Sequence, residues 1–360
     1  MAHDHRGYTP YVPMLGTDEP RALHLPLTYW VSPHLTLRVH KAPKEKNFMD
    51  HGHVAVVGST NMDMITYVAG VPARGETVTG ESFALGFGGK GANQAVMARR
   101  LGADVSMVNT LGDDVFGDTT MANFENEGID TAWISRVPGP SGVAPIWVEP
   151  DGANRIIVVP GANALMTPEG AISALKGMAE YQVVVGQLEI PQEVTLAAFQ
   201  QGRKDGAITI LNPAPYQELL PDLVAASDWI VPNETEFAGL HPRGLLPESD
   251  AIILEVAQAL GTNLLVTLGE SGLAATVANG TVLRIPAPTV DALDTTGAGD
   301  SFVGTFAAGL AAGLPLEVAL TLGIACASES VMNQGTQSSY PSPARAEEIM
   351  EQVLQSFSAP

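Results

Sequence analysis

The stretch "HVAVVGSTNMD", residues 53–63, sets the reading of the whole chain. Its first half is apolar and β-branched, with no alternation of polar and apolar positions. A short run of that kind suits a strand buried on both faces. Its second half turns abruptly small and polar. Five later segments have the same apolar character: "VSMVNTLG" (105–112), "QVVVGQLE" (182–189), "AITILNPAP" (207–215), "DWIVPNE" (228–234) and "NLLVTLG" (263–269). Helical patterns lie between them, among them "GANQAVMARRLGA" (91–103), "TPEGAISALKGMAEY" (167–181), "PQEVTLAAFQQGRKDG" (191–206) and "ESDAIILEVAQALG" (248–261). Strand–helix–strand alternation predicts an α/β fold with a doubly wound, mainly parallel central sheet flanked by helices. The polar strand ends ("GSTNMD", "GQLE", "NPAP", "PNETE", "TLGESG") mark one end of that sheet, where ligands of open α/β sheets bind.

Two segments break the rhythm. Residues 64–88 and 142–161 are β-rich, carry turn residues and have no helical pattern between their strands. They read as hairpins outside the main sheet. Paired together they would make a small β-sheet lid that excludes water from a site; a plain extension of the sheet edge is the other reading.

Composition narrows the functions. The chain has 360 residues, 45% of them hydrophobic, with a net charge of -21. That suits a globular protein with a sizeable core, and argues against general binding of nucleic acid or anionic membranes. The single cysteine, Cys326, can form no internal disulfide and reads as a small buried hydrophobe, compatible with the reducing cytoplasm. No secretory signal pattern is evident. The apolar run from Phe302 to Met332 is broken by Pro315, Glu317 and glycines, so it reads as a buried helix pair rather than a span. Residues 1–50 hold five of the eight histidines and no sustained periodicity. They read as a disordered extension or a mis-called start, with Met49 the natural initiator and the domain running over 51–360.

Beyond residue 53 the only histidine is His241, which argues against histidine bases and His-rich metal sites. "GGKG" (88–91) is not a P-loop, since Ala84 stands where its first glycine should be and Gly91 follows the lysine. Gly86, Gly88 and Gly91 spell a literal G-x-G-x-x-G, but it does not follow the first buried strand, so a nicotinamide oxidoreductase is disfavoured. Lys90, among glycines at a helix start, offers a cation together with backbone donors to hydroxyl or phosphate oxygens, with Asn93 one turn along. Asn61 and Asp63 share one face of an extended stretch and match vicinal hydroxyls; turn chemistry is the other reading. Asn233 and Glu236 also carry two readings: a helix cap with an acidic first turn, or a site ordering hydrated Mg²⁺ and phosphate. In "DALDTTGAGDSF" (291–302) glycines precede a small-residue helix. The amides of Gly297, Ala298 and Gly299 can form an anion hole, and Asp300 beside them can act as a general base.

"GGKGANQAV" (88–96) and "DTTGAGDSF" (294–302), with the five strand-end motifs in order between them and before them, resemble the signature stretches of the ribokinase-like (PfkB) carbohydrate kinases. The resemblance covers about residues 53–357. It implies ATP-dependent phosphorylation of a sugar, above all of the 5-hydroxyl of D-ribose; deoxyribose, fructose or a nucleoside are alternatives, as is a non-catalytic sugar sensor on the same fold. It implies sugar contacts at Asn61, Asp63, Gly89, Lys90, Asn93 and Glu189, lid residues Ala144, Ile146 and Val158 packing on the sugar, and Asp300 as base. It places Asn233, Thr267, Gly269, Gly272 and Gly299 on the nucleotide side. It implies Mg²⁺ ordered through water by Glu236, and K⁺ near Asp294, Thr296, Ser330, Asn333, Gly335 and Ser339. A homodimer through the lid is also implied. The fifty-residue extension is not part of the family pattern.

Overall fold

The computed structural model describes residues 52–150, 153–277 and 280–358. The expectation for residues 1–50 lies outside the described residues. In chain order the first elements are β1 (His53–Val57), β2 (Asn61–Tyr67), β3 (Ser82–Gly88), α1 (Lys90–Arg100), β4 (Asp104–Gly112), α2 (Val115–Glu127), β5 (Ile134–Val137), β6 (Val143–Val148) and β7 (Asn154–Ile156). Then come α3 (Pro168–Gly177), β8 (Val183–Gly186), α4 (Gln192–Asp205), β9 (Ile208–Leu211), α5 (Pro221–Ala225), β10 (Trp229–Ile230), α6 (Glu234–Leu240) and α7 (Asp250–Leu260). The last are β11 (Asn263–Thr267), β12 (Leu273–Val277), β13 (Thr281–Ile285), α8 (Ala298–Ala311), α9 (Leu316–Ser330) and α10 (Pro343–Ser358).

The main sheet has the order β13-β12-β11-β10-β9-β8-β1-β4-β5. Its pairings are parallel from β5 to β11, and only the β11–β12 and β12–β13 pairs are antiparallel. β1 shows why the opening run is apolar throughout. Val54 and Val56 point into a core shared with α1, α8, α9 and α10, including Phe302 and Phe306. Ala55 and Val57 point into a second core with α3, α4 and α7, including Phe199 and Ile253. A strand with helices on both faces needs apolar residues at every position.

Local signals set the helix ends. Thr167 caps α3 by accepting from the Gly170 amide, with Pro168 at the first position, and Gly206 closes α4 in the left-handed conformation. The expected strand over 228–234 is shorter than its apolar run: β10 keeps only Trp229 and Ile230, because Asn233 caps α6 directly behind Pro232. The antiparallel hairpin β12–β13 was not expected from sequence. The Phe302–Met332 run folds as the buried helix pair α8 and α9. Among the described residues no helix is long and apolar enough to cross a membrane. Cys326 is buried in α9, and that burial pushes its thiol up to about 12.

The two interrupted segments form the expected second sheet, of order β3-β2-β6-β7. β2 pairs antiparallel with β3 and parallel with β6. Asp63 stands opposite Gly86 on one side and Ala144 on the other, and Ile65 opposite Ala84 and Ile146. The pleat therefore puts Asn61, Asp63, Ala144 and Ile146 on one face. Asn163 ties the joints between lid and body together. Its Oδ1 accepts from the Thr60 amide at 3.0 Å, and its Nδ2 donates to Thr60 O at 2.8 Å and Asn61 Oδ1 at 3.1 Å.

Candidate active site

Two glycine-rich helix starts face each other at the carboxyl end of the sheet, and their backbone amides differ in one respect. At α1 they are occupied. Lys90 N donates to Glu189 Oε2 at 2.9 Å, Gly91 N to Ser59 Oγ at 3.3 Å and Ala92 N to Ser59 O at 2.9 Å. The first three amides of α1 are therefore not available to a ligand, because the segment after β1 and the Glu189 carboxylate already satisfy them, while Gly89 N, at the N-cap, has no partner among the described residues. The glycines here serve close packing: a β-carbon at Gly91 would run into the Gly58–Ser59 backbone.

At α8 the amides are open. Gly297 N, Gly299 N and Asp300 N have no hydrogen-bond partner among the described residues, and Ala298 N makes one long contact to Thr295 O at 3.3 Å. Gly297, with φ 77, is the N-cap just ahead of the helix. Beyond its own helix turn and chain neighbours, no described atom lies within 4 Å of where a β-carbon at Gly299 would stand. Unpartnered amides at the positive end of a helix dipole, with open space beside Gly299, are a cradle for an anion.

Asp300 lies in the first turn of α8 and is 6% exposed. Its Oδ2 accepts from Asn93 Nδ2 at 2.9 Å and its Oδ1 from Gln94 Nε2 at 2.8 Å. Asn93 therefore holds the carboxylate, and its Oδ1 accepts from Gln337 Nε2 at 3.1 Å. Gln94 and Gln337 escaped the sequence reading. The available signal was an uncharged amide next to Asn93 on a helix whose pattern is otherwise apolar and small.

Asp63, Lys90 and Glu236 lie within electrostatic reach of Asp300, and Glu189 within reach of Asp63 and Lys90. The Asp63 side chain is buried and makes no hydrogen bond among the described residues. Burial, with Glu189 and Asp300 adding like charge, pushes its carboxyl up to about 7. Burial by itself would lower Lys90; Asp300, Glu189 and Glu236 outweigh it and hold the ammonium above its ordinary value. Lys90 has no ion pair within 4.0 Å among the described residues, so its donors remain for a ligand. Ser59 Oγ donates to Glu189 Oε2 at 2.6 Å, which leaves Glu189 Oε1. Ala144 and Ile146 are buried on the lid, whereas Val158 lies beyond β7 and is 42% exposed.

Asn233 and Glu236 form a reciprocal capping box at α6: Glu236 N donates to Asn233 Oδ1 at 2.8 Å and Asn233 N to Glu236 Oε2 at 2.9 Å. The cap reading holds, and burial raises the Glu236 carboxyl against the pull of that amide and of Lys90. Thr267 ends β11 beside Asn233, and Gly269 follows with open space around it. Gly272 packs on the Ile285–Ala287 backbone. Asp294 joins two loops, its Oδ1 accepting from Thr296 N and its Oδ2 from Gly335 N, both at 2.9 Å. Tyr340 Oη donates to Gly297 O at 3.0 Å and braces the start of α8.

Comparison with known proteins decides what this arrangement belongs to. The pfkB family carbohydrate kinase profile matches residues 52–343. The chain belongs to the PfkB family of carbohydrate kinases. It is 40% identical over 295 residues to a deoxyribokinase of Salmonella typhi, covering 80% of this chain and 95% of that protein. It is 38% identical over 299 residues to the ribokinase of Bacillus subtilis, covering 83% and 99%. The structure of Arabidopsis thaliana ribokinase complexed with ribose and ATP superposes with a TM-score of 0.75 at 27% identity, covering 84% and 99%. The PfkB assignment makes this an ATP-dependent sugar kinase on a ribokinase-like fold. The resemblance read from the two signature stretches is thereby shown, as is the fold class.

Proposed function

We propose that this kinase transfers the γ-phosphoryl group of ATP to the 5-hydroxyl of D-ribose, giving D-ribose 5-phosphate and ADP. The observation that carries the reading is the start of α8: the amides of Gly297, Gly299 and Asp300 are open, and the Asp300 carboxylate sits on that same turn. As the sugar oxygen forms its bond to phosphorus and the bond to the ADP oxygen breaks, Asp300 takes the hydroxyl proton. The amides of Gly297, Ala298 and Gly299 meet the charge on the migrating group. Asp63, with no protein donor on its carboxylate, accepts from sugar hydroxyls, and Lys90 donates to them. Asn61, Gly89, Asn93 and Glu189 complete the polar wall, and Ala144, Ile146 and Val158 the apolar one. Asn233, Thr267, Gly269 and Gly272 line the nucleotide side.

The residues fit the two ions the family implies in different ways. Glu236 keeps one carboxylate oxygen beyond its cap, and among the described residues no three His, Cys, Asp or Glu side chains stand close enough together to hold a metal ion. That suits a Mg²⁺ held through water and nucleotide phosphates, where it would neutralise phosphate charge. The Ser330 and Ser339 hydroxyls donate to Ala327 O and Thr336 O, which leaves their oxygens as acceptors near the Asp294 crossing. Such oxygens, with the carbonyls around Thr296, Asn333 and Gly335, suit a K⁺ that steadies the loop.

A second reading, 2-deoxyribose as the preferred acceptor, is favoured by the 40% identity to a deoxyribokinase against 38% to a ribokinase. A homodimer through the lid is supported by the exposed Phe83 and Leu85, which alternate with Ala84 and Gly86 and so lie on the face away from Asp63. The deciding experiment supplies ATP, Mg²⁺ and K⁺ with ribose, 2-deoxyribose, fructose and nucleosides. The highest kcat/KM is expected with ribose. A preference for deoxyribose would move the assignment to the second reading, and sugar binding without phosphoryl transfer would overturn both.

A further inference from the structure

Buried side-chain amides lead into Asp300 from two directions, and their orientations are forced. Asn212 Nδ2 donates to the Val231 carbonyl at 2.9 Å, so Asn212 Oδ1 must accept. It accepts from Gln94 Nε2 at 3.1 Å, the same nitrogen that donates to Asp300 Oδ1 at 2.8 Å. Gln94 Oε1 is then an acceptor and takes Gln187 Nε2 at 2.6 Å. On the other side Asn93 Nδ2 faces the carboxylate, so Asn93 Oδ1 accepts from Gln337 Nε2 at 3.1 Å. Gln337 Oε1 in turn accepts from Asn123 Nδ2 at 3.1 Å. Both chains point their donors toward Asp300: Gln187 to Gln94 to Oδ1, and Asn123 to Gln337 to Asn93 to Oδ2.

We infer that Gln94 and Gln337 are positioning residues for the base, and that Gln337 makes the 330–340 loop a determinant of its orientation. The inference rests on the reading of Asp300 as the base. Each chain is polarised in one direction, so its bonds reinforce one another. A carboxylate held on both oxygens cannot rotate about its Cβ–Cγ bond, and keeps its remaining lone pairs for the acceptor hydroxyl. Gln337 is well placed to convey the state of its loop. Its carbonyl accepts from Arg100 Nη1 at 2.8 Å, and the Arg100 guanidinium is paired with Glu127. The same loop carries Gly335, whose amide is bound by Asp294 in front of α8.

The test is a double-mutant cycle on kcat. Gln94→Met keeps the length of the side chain and removes its donor; Gln337→Met does the same one residue further from the carboxylate. Gln94→Met is expected to lower kcat at least tenfold, and Gln337→Met several-fold, each with sugar affinity by calorimetry within about threefold of the parent. In an Asp300→Asn background neither substitution should lower kcat further, because both act through that carboxylate. Thermal melting of each variant separates misfolding from misalignment. Should Gln94→Met prove unfolded, Gln337→Met carries the test alone. Equal losses in the parent and in the Asp300→Asn background would overturn the inference. So would an unchanged kcat in a folded Gln94→Met, or in Gln337→Met where Gln94→Met does not fold. Near-normal turnover of Asp300→Asn itself would instead overturn the base assignment, which is a different failure.

Discussion

The carboxylate of Asp63 lies so closely over Gly88 that a β-carbon on residue 88 would collide with both of its oxygens. The contact joins the lid strand β2 to the end of β3, just before α1. It gives the glycine run "GFGGKG" a physical purpose: the chain narrows there so that a bare carboxylate can sit against it.

Gly88→Ala should therefore displace Asp63. The expected outcome is a sugar KM raised at least tenfold, with a loss of about 1–3 kcal/mol in stability from overpacking. Calorimetric titration with ribose and a denaturant melt check the two parts. Unchanged sugar affinity would show that Asp63 is not a sugar ligand.

Asp63 also predicts a pH dependence. Its carboxyl is raised from 3.8 to about 7, chiefly by burial. The fold therefore favours the protonated form. Stability from this group is full below 3.8, falls as pH rises through the window up to about 7, and is flat above it. The slope is at most about 1.4 kcal/mol per pH unit. Asp63→Asn should raise the melting temperature at pH 8 and not at pH 4. Sugar affinity moves the other way. An ionised Asp63 accepts two hydroxyls, so KM for the sugar should rise as pH falls through about 7. A KM flat from pH 8 to pH 6 would refute the role.

Asp300→Asn should cut kcat by at least about 10² and leave sugar affinity within several-fold, because the amide keeps the shape but cannot take a proton. Steady-state kinetics with separate sugar titration check both. Near-normal turnover would remove Asp300 from the mechanism.

Asp294→Ala leaves the amides of Thr296 and Gly335 without their acceptor. Each unsatisfied donor costs roughly 1–3 kcal/mol where water cannot reach it. The α8 start should loosen, with kcat down at least tenfold and sugar affinity retained. A potassium titration should also show a weakened response. Full activity at any potassium concentration would show that the crossing is not needed.

Much of the site was legible in the sequence. The α8 start was readable because glycines, a small-residue helix and an acid in its first turn are local facts, and local geometry turns them into open amides beside a carboxylate. The lid was readable because two β-rich segments without helices had nowhere to pair except with each other. At the α1 start the expectation of free backbone donors failed for Lys90, Gly91 and Ala92. That start is as glycine-rich as α8, but Ser59 and Glu189, 31 positions before Lys90 and 99 after it, occupy the amides of its first three residues. The sequence showed that Gln94 is a polar residue on a small-residue helix and that Gln187 and Asn212 lie at polar strand ends, but not what any of them, or Gln337 and Asn163, would bind, since an amide reveals its partner only when both are placed. The short β10 and the β12–β13 hairpin were missed for a related reason: Asn233 begins α6 almost at once after Pro232, and an edge hairpin has weak periodicity.

By itself the sequence determined which segments are buried strands, which are helices, where the polar strand ends gather, and which turn carries the acid next to bare glycines. Those follow from side-chain pattern and backbone freedom within a few residues. The tertiary structure alone decided which of two similar helix starts keeps its amides free and how the carboxylate between them is held. Both depend on hydrogen bonds between residues far apart in the chain, and an amide is open or occupied only according to what the fold brings beside it.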